Sequence, residues 1–239
     1  MVSTCGPNSN GRFLSYQVPD PVAFFPLNFV YGTREIQDRV PQGITNEVML
    51  APGPAGQLNG AYEFNGTSNS FIEFSNSAGG ILDVRYSITM LCWVYYNGQD
   101  GPFFFYQKDH SNWGVHLATY QGKLYARFHT RNYGSTNYFL SSTLLEGGWK
   151  FVGASYDNTS GEAKLWVDGV AVQSLNNGAG LELGTQDKVR MGAGFSSGFG
   201  FFRGRITQMQ VYDKALIQEQ IQETQGKNEM CRSKYGSGF

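Results

Sequence analysis

Apolar positions along this chain recur mostly with a period of two. In KLYARFHTRNY, Leu124, Ala126 and Phe128 fall on one face, while Lys123, Tyr125, Arg127, His129 and Arg131 fall on the other. That is the spacing of a half-buried β-strand. Short runs of the same kind are AYEFNG, SFIEFS, FFFYQ, WGVHLATY, DKVRMGA and GRITQMQVYD, and SITMLCWVYY predicts the strongest strand. VAFFPLNFV, from Val22 to Val30, predicts an edge strand, because Pro26 has no N–H to give a ladder. Between Leu140 and Val172 two further strands lead into LWVDGVAV. Its Asp168-Gly169 pair tolerates positive φ at both central positions, the requirement of a type I′ hairpin, and Gln121-Gly122 marks a second hairpin. Tyr31 to Gln57 carries Pro41, Pro52 and Pro54 without alternation and is expected to wrap the outside as irregular chain. The helical period occurs in KALIQEQIQETQ, where Leu216, Gln220 and Glu223 leave one weakly apolar face. A short surface helix after the last strand is predicted there.

Composition narrows this to an all-β fold in one large domain. The 239 residues include 31 Gly, 18 Phe and 14 Tyr, with only 15% charged, which suits many short strands and glycine turns. The domain is expected over 21–231, between a polar segment at 1–20 and a tail at 232–239. Eighteen basic residues against 19 acidic give a net charge of −1, which argues against nucleic acid as a partner. No apolar run approaches ~18 residues, so neither a span nor direct membrane insertion is expected. The opening MVSTCGPNSNG lacks the apolar core of a signal peptide. Of the alternatives, a protein kept inside the cell or an ectodomain behind an added Met1, the ectodomain is favoured. Cys5 and Cys231 lie near termini that often meet in a sandwich, so a Cys5–Cys231 disulfide and an oxidising, extracellular compartment are expected. Cys92, within SITMLCWVYY, reads as a small buried hydrophobe.

Several pieces in sequence order resemble the laminin-G-like jelly rolls of the concanavalin A-like lectin/glucanase superfamily, with pentraxins as distant relatives. AFFPLNFVYGTREI is similar to an opening segment of such domains, and GAYEFNGTSNSFIEF to their strand pair. SITMLCWVYY is followed by the signature stretch ending in LWVDGV, and FFRGRITQMQVYDKALIQEQI resembles the closing strand and helix. The resemblance spans Phe24 to Ile221 and implies a two-sheet antiparallel jelly-roll sandwich with a short C-terminal helix. It also implies a domain that binds rather than catalyses. Relatives often hold calcium in their loops, which implies a structural ion at Glu35 and Asp38. This sequence departs from the pattern in having Thr207-Gln208 where the family often has Asp-Glu, and in lacking the pentraxin acidic run.

Glucanases of the superfamily set carboxylates on one strand as E-x-D-x-x-E, because retaining hydrolysis needs two of them ~5 Å apart. Here Glu63, Glu73, Asp109, Asp157, Asp168 and Asp187 are isolated, and no Gly-x-Ser-x-Gly elbow occurs. With three histidines (His110, His116, His129) and no carboxylate at motif spacing, zinc is not expected. The surface singled out is the stripe of Lys123, Tyr125, Arg127, His129 and Arg131. Its cations suit acidic groups and its ring a sugar face, with Trp113, His110 and Tyr133 extending it. The competing reading is a hydrated sheet face. GFSSGFGFFRG is a flexible connection that either forms an apolar tip for a protein partner or starts the next strand with Phe201 and Phe202 in the core. The expected function is therefore non-catalytic recognition of a glycan or matrix ligand outside the cell. Protein–protein adhesion or self-association is the alternative, and a lyase or hydrolase the weakest reading.

Overall fold

The computed structural model describes residues 16–109, 111–133, 139–143, 147–194 and 200–235, with backbone alone from 227 onward. Within them, β1 (Ala23–Phe25), β3 (Val48–Ala51), β4 (Ala61–Asn65), β6 (Ile88–Gln99), β11 (Trp149–Tyr156), β12 (Glu162–Val167), β13 (Val170–Asn176) and β15 (Arg203–Tyr212) make one antiparallel sheet. Its order is β13-β12-β11-β6-β15-β4-β3, and β1 pairs with β15. The second sheet holds β2 (Ile44–Asn46), β5 (Phe71–Phe74), β7 (Pro102–Gln107), β8 (Trp113–Tyr120), β9 (Lys123–Arg127), β10 (Phe139–Thr143) and β14 (Val189–Met191). Its order is β10-β9-β8-β7-β14-β5-β2. The jelly-roll sandwich is thus the fold.

The inner faces of both sheets meet in one apolar core, to which β6 gives Ile88, Met90, Cys92, Val94 and Tyr96, and β8 gives Val115 and Leu117. β6 is apolar on its other face too. Leu91 and Trp93 join Phe151, Trp166, Tyr212, Leu216 and Ile221 in a second cluster at the start of helix α1 (Gln218–Tyr235). That cover explains why SITMLCWVYY shows no polar alternation. Cys92 is fully buried and free, and burial pushes its thiol pKa up.

Both predicted hairpins form. Asp168 and Gly169 take φ of +49° and +77° between Val167 and Val170, and Gln121 and Gly122 take +52° and +69° between Tyr120 and Lys123. Asp168 also accepts from Lys150 Nζ at 2.7 Å and the Phe151 N–H at 3.1 Å, which holds the turn against the neighbouring strand.

Four expectations need correction. VAFFPLNFV is a strand for three residues only: beyond Pro26, Leu27 adopts φ +53° and turns the chain away. The stretch 31–57 contains β2 and β3, missed because Ile44, Thr45 and Asn46 are all exposed and carry no alternation. The predicted helix face is shifted. Leu216 precedes the helix, and among its described side chains Ile221 and Thr224 are the buried ones, so a count begun at Leu216 chose Gln220 and Glu223 instead. Lastly, β9 ends at Arg127, so His129 and Arg131 lie beyond it.

In the Gly192–Gly204 stretch, Phe202 is fully buried while Phe201 is half-buried and bridges to Ala193. Phe202 belongs to the core. Phe195 and Phe199 fall outside the described residues, as do Cys5 and the Cys231 side chain.

Candidate functional site

The site builds up from strand register on the outward face of the seven-stranded sheet. Leu124, Ala126, Phe128, Leu117, Phe104 and Tyr106 point into the core, so their sequence neighbours point out. Cross-strand pairing then aligns one row through six strands: Phe139, Arg127, His116, Phe105, Arg190 and Glu73. The rings in it touch. Phe105 meets His116 edge-on at 5.0 Å, and His116 stacks on Tyr125 at 5.7 Å and 13°. Tyr125 stacks on Phe139 at 5.3 Å and lies 5.7 Å from Tyr120. His129 lies 5.8 Å from His116 and 6.5 Å from Trp113. At the other end Arg190 Nε donates to Glu73 Oε2 at 2.6 Å, with its guanidinium 4.1 Å above the Phe71 ring, and Lys188 also reaches Glu73.

This face is more buried than either reading of KLYARFHTR, the binding stripe or the hydrated sheet face, supposes. His116 is fully buried, and Tyr125 and His129 are 6% and 4% exposed. Exposed rings gather on the side where β8, β9 and β10 meet: Tyr120 is 38% exposed, Phe139 is 51% exposed and Lys123 is exposed, with Arg127 half-buried beside them and Trp113 half-buried at the start of β8. The corner is thus an aromatic ledge with two cations. Burial raises the Tyr125 pKa, partly offset by the charge and hydrogen bond of Arg127. Burial drives His116 the other way, down to about 3, reinforced by His129. Its Nδ1 lies 3.0 Å from the Gly114 carbonyl, an acceptor only, so Nδ1 carries the proton of a neutral ring.

Arg131 of the predicted stripe and Tyr133, its predicted extension, serve the fold instead. Arg131 donates through both terminal nitrogens to Asp83 at 2.7 Å. Asp83 also accepts from the Gly79 N–H and the Thr185 hydroxyl. Burial alone would raise the Asp83 pKa; the donors, Arg131 foremost, outweigh it and hold the carboxyl below its ordinary range. Tyr133 donates to Asp187 at 2.6 Å and accepts from Gln186, and burial together with Asp187 pushes its hydroxyl up to about 12. Arg131→Ala is expected to cost about 2 kcal/mol in urea unfolding, because it strands the largely buried Asp83. Ligand affinity per folded molecule should not change. His110 lies outside the described residues.

The proposed ion position also needs correction. Glu35 is buried, and its Oε1 accepts from the Phe24 N–H and from Arg39 Nη2 at 3.1 Å. Its Oε2 accepts from the N–H groups of Gln37 and Arg39 at 3.0 and 3.1 Å. Burial would raise its pKa, but Arg39 and the three N–H donors lower it on balance. Calcium needs several oxygens free to face it, whereas both of these already face nitrogen donors. Asp38 is exposed beside it with φ +54°. Among the described residues no three His, Cys, Asp or Glu side chains converge. Glu35 therefore does not fit the ion. At Thr207-Gln208, the Thr207 hydroxyl bonds the carbonyls of Pro26 and Gly60, again tying chain to chain.

Sequence reasoning missed Tyr120, Phe139, Phe105 and the Arg190–Glu73 pair. They come from strands far apart in sequence and meet only through the sheet order. Phe139 was within reach, since it sits two before Ser141 on the alternating face of its strand.

The family model described as the concanavalin A-like lectin/glucanases superfamily matches residues 65–222. No curated protein sequence matches the chain significantly. Among solved structures, the binding domain of botulinum neurotoxin serotype G superposes with a TM-score of 0.67 at 11% identity, over 87% of this chain and 51% of that one. Domain 4 of the extracellular arabinanase AbnA from Geobacillus stearothermophilus, in complex with arabinotriose, gives 0.62 at 20% identity, over 87% and 98%. A Trypanosoma rangeli sialidase gives 0.65 at 13%, over 96% of this chain and 36% of that one. The chain thus spans about half the length of the neurotoxin domain. At these identities the likeness is one of fold. No helix among the described residues is long and apolar enough to cross a membrane. The fold and the match over most of its length place this chain in the concanavalin A-like lectin/glucanase superfamily, as a laminin-G-type jelly roll.

Proposed function

We propose that the chain is a non-catalytic recognition module that binds a glycan outside the cell, at the β8–β10 corner. The observation that carries this reading is the exposure of Tyr120 and Phe139 on either side of buried Tyr125, with Lys123 and Arg127 alongside. Exposed ring faces suit the apolar face of a sugar, and adjacent cations suit its carboxylate or sulfate. The row described above holds one carboxylate, Glu73, already engaged by Arg190 and Lys188, whereas glycoside hydrolysis uses a pair. A sugar-bound domain of the same fold, the arabinanase domain with arabinotriose, lends this reading further support.

The test is an array of neutral and acidic glycans in millimolar calcium and again in chelator, followed by titration of the best binder. Binding is expected to persist in chelator, because both Glu35 oxygens are already engaged by nitrogen donors. Phe139→Ala is expected to weaken it about tenfold, a loss of roughly 1.4 kcal/mol. Lys123→Ala should matter only for acidic glycans. A blank array in both conditions would overturn the proposal and leave a protein ligand or self-association, which light scattering would reveal.

A further inference from the structure

The sequence holds two Asn-X-Ser/Thr triplets, Asn65-Gly66-Thr67 and Asn158-Thr159-Ser160, the acceptor pattern for N-linked glycosylation. The pattern alone treats them as equals. The fold does not, because the sugar is attached to the side-chain nitrogen, Nδ2, and the two nitrogens have opposite surroundings.

Asn65 is the last residue of β4 and is exposed, next to the core residue Phe64. The strand period that turns Phe64 inward turns Asn65 out. Its Oδ1 accepts from the Thr67 N–H at 2.9 Å, an Asx turn that commits the oxygen to the backbone and leaves Nδ2 toward solvent. Among the described residues Asn65 Nδ2 has no acceptor. The turn is fixed on all sides. The Asn65 N–H donates to Ser70 Oγ at 3.0 Å, the Gly66 carbonyl accepts from Gln99 Nε2 at 2.7 Å, and the Thr67 carbonyl accepts from the Ser70 N–H at 3.1 Å. Gly66 takes φ +82°, and a Cβ there would lie 2.5 Å from Gln99 Oε1, so glycine is the residue that permits this turn.

Asn158 is half-buried and fully engaged. Its Nδ2 donates to the Leu181 carbonyl at 2.8 Å, its N–H donates to Ser87 Oγ at 3.0 Å, and its carbonyl accepts from the Gly180 N–H at 2.9 Å. It thereby ties the turn after β11 to the chain at 180–181. A sugar on that nitrogen would crowd the Leu181 carbonyl and pull the two apart. The triplet's hydroxyl is also occupied, since Ser160 Oγ donates to Asp157 at 2.9 Å and accepts from the Glu162 N–H at 3.2 Å.

We propose that Asn65 carries an N-linked oligosaccharide in the folded protein and that Asn158 carries none. In the transfer, Asn65 Nδ2 forms a bond to the anomeric carbon of an oligosaccharide held as a lipid diphosphate. The anomeric carbon–oxygen bond breaks, the lipid diphosphate leaves with its electron pair, and one amide proton is lost to a base of the transferase. Donors of this class are met in a secretory compartment, so the site depends on the extracellular placement proposed above but not on the ligand.

The test is secretion of the full chain from a eukaryotic cell behind a cleavable leader, with mass spectrometry of intact glycopeptides. Sugar is expected on Asn65 and none on Asn158. Asn65→Gln should shift the protein on a gel by the loss of one glycan. Thr67→Ala should cause the same loss and Thr67→Ser should retain the glycan, which ties the shift to the acceptor triplet. Asn158→Gln should keep the glycan but lower the melting temperature, since the bond to Leu181 is lost. Asn65 lies in the eight-stranded sheet and the β8–β10 corner in the other, so Asn65→Gln should bind ligand as the wild type does. A bare Asn65 in the secreted protein, or sugar on Asn158, would overturn the proposal. Retention of the wild type inside the cell would overturn the extracellular placement, and the modification would fall with it.

Discussion

Phe202→Ala is expected to lower the unfolding free energy by about 3–5 kcal/mol, the range for truncating a fully buried Phe. The reason is position as well as size. Its ring lies 5.0 Å from Phe103 of the seven-stranded sheet and 6.0 and 6.5 Å from Phe64 and Tyr96 of the eight-stranded sheet, so it bridges the two layers. The surroundings cannot close in easily. A Cβ built on Gly101 would lie 2.1 Å from the Phe202 nitrogen, and one on Gly204 2.6 Å from its ring, which shows how little slack the backbone has on either side. The cavity should therefore persist, placing the cost toward the upper part of the range. Urea unfolding would measure it, with the midpoint falling and the slope unchanged. A loss near 1 kcal/mol would mean that the core relaxes into the space and that Phe202 is not what joins the sheets.

That Phe202 is core was legible, because it sits where a closing strand begins and the resemblance runs through it. Strands with a strong apolar run or alternation, and turns with defined chemistry, were legible for the same local reasons: β6, β8, β15 and the Asp168-Gly169 hairpin each carry their own instruction. β2 and β3 do not. They are short, exposed edge pieces held by pairing to β5 and β4, and nothing in ITN or VMLA announces that a partner will be present. The helix was legible in existence but not in orientation, because its buried face depends on where the helix starts.

The candidate site was legible one strand at a time. Alternation correctly separated Leu124, Ala126 and Phe128 from Tyr125 and Arg127, but two assumptions behind the stripe failed. Alternation was carried through to Arg131, although strand geometry stops at Arg127 and the chain then turns toward Asp83. An outward-facing residue was also taken as exposed, whereas the rings of β8 and β10 crowd against Tyr125. Both failures concern long-range partners. Glu35 is a third case. The family resemblance implied a ligand for an ion there, and only the folded chain reveals that the carboxylate organises the loop's own N–H groups.

Acid is expected to destabilise the protein from a higher pH than its carboxylates would explain. His116 has an ordinary pKa near 6.5 in the unfolded chain, and burial lowers it to about 3 in the folded one. The unfolded state thus binds a proton between those values that the folded state refuses. Its contribution is fully present above about pH 6.5 and is lost as the pH falls, by roughly 1.4 kcal/mol per unit until the folded pKa is reached. Between about pH 6.5 and about pH 4.5 the loss should come to about 2–3 kcal/mol. Asp83 and Glu35, whose folded pKa values are lowered, add their own losses only below the ordinary carboxylate range, and comparison with a His116 variant separates this imidazole from its buried neighbour His129. Urea unfolding of the wild type and of His116→Gln across this pH range gives the test: the variant should start less stable but show a flatter slope. The site is drawn in as well, since His116 stacks under Tyr125, which in turn supports Tyr120 and Phe139. A proton there would place a cation beside Arg127 and beneath the ledge, and ligand binding should fade along with the fold. Equal slopes in the two proteins would mean that His116 reaches protons in the folded state, and that the outward face of the seven-stranded sheet opens more readily than its burial implies.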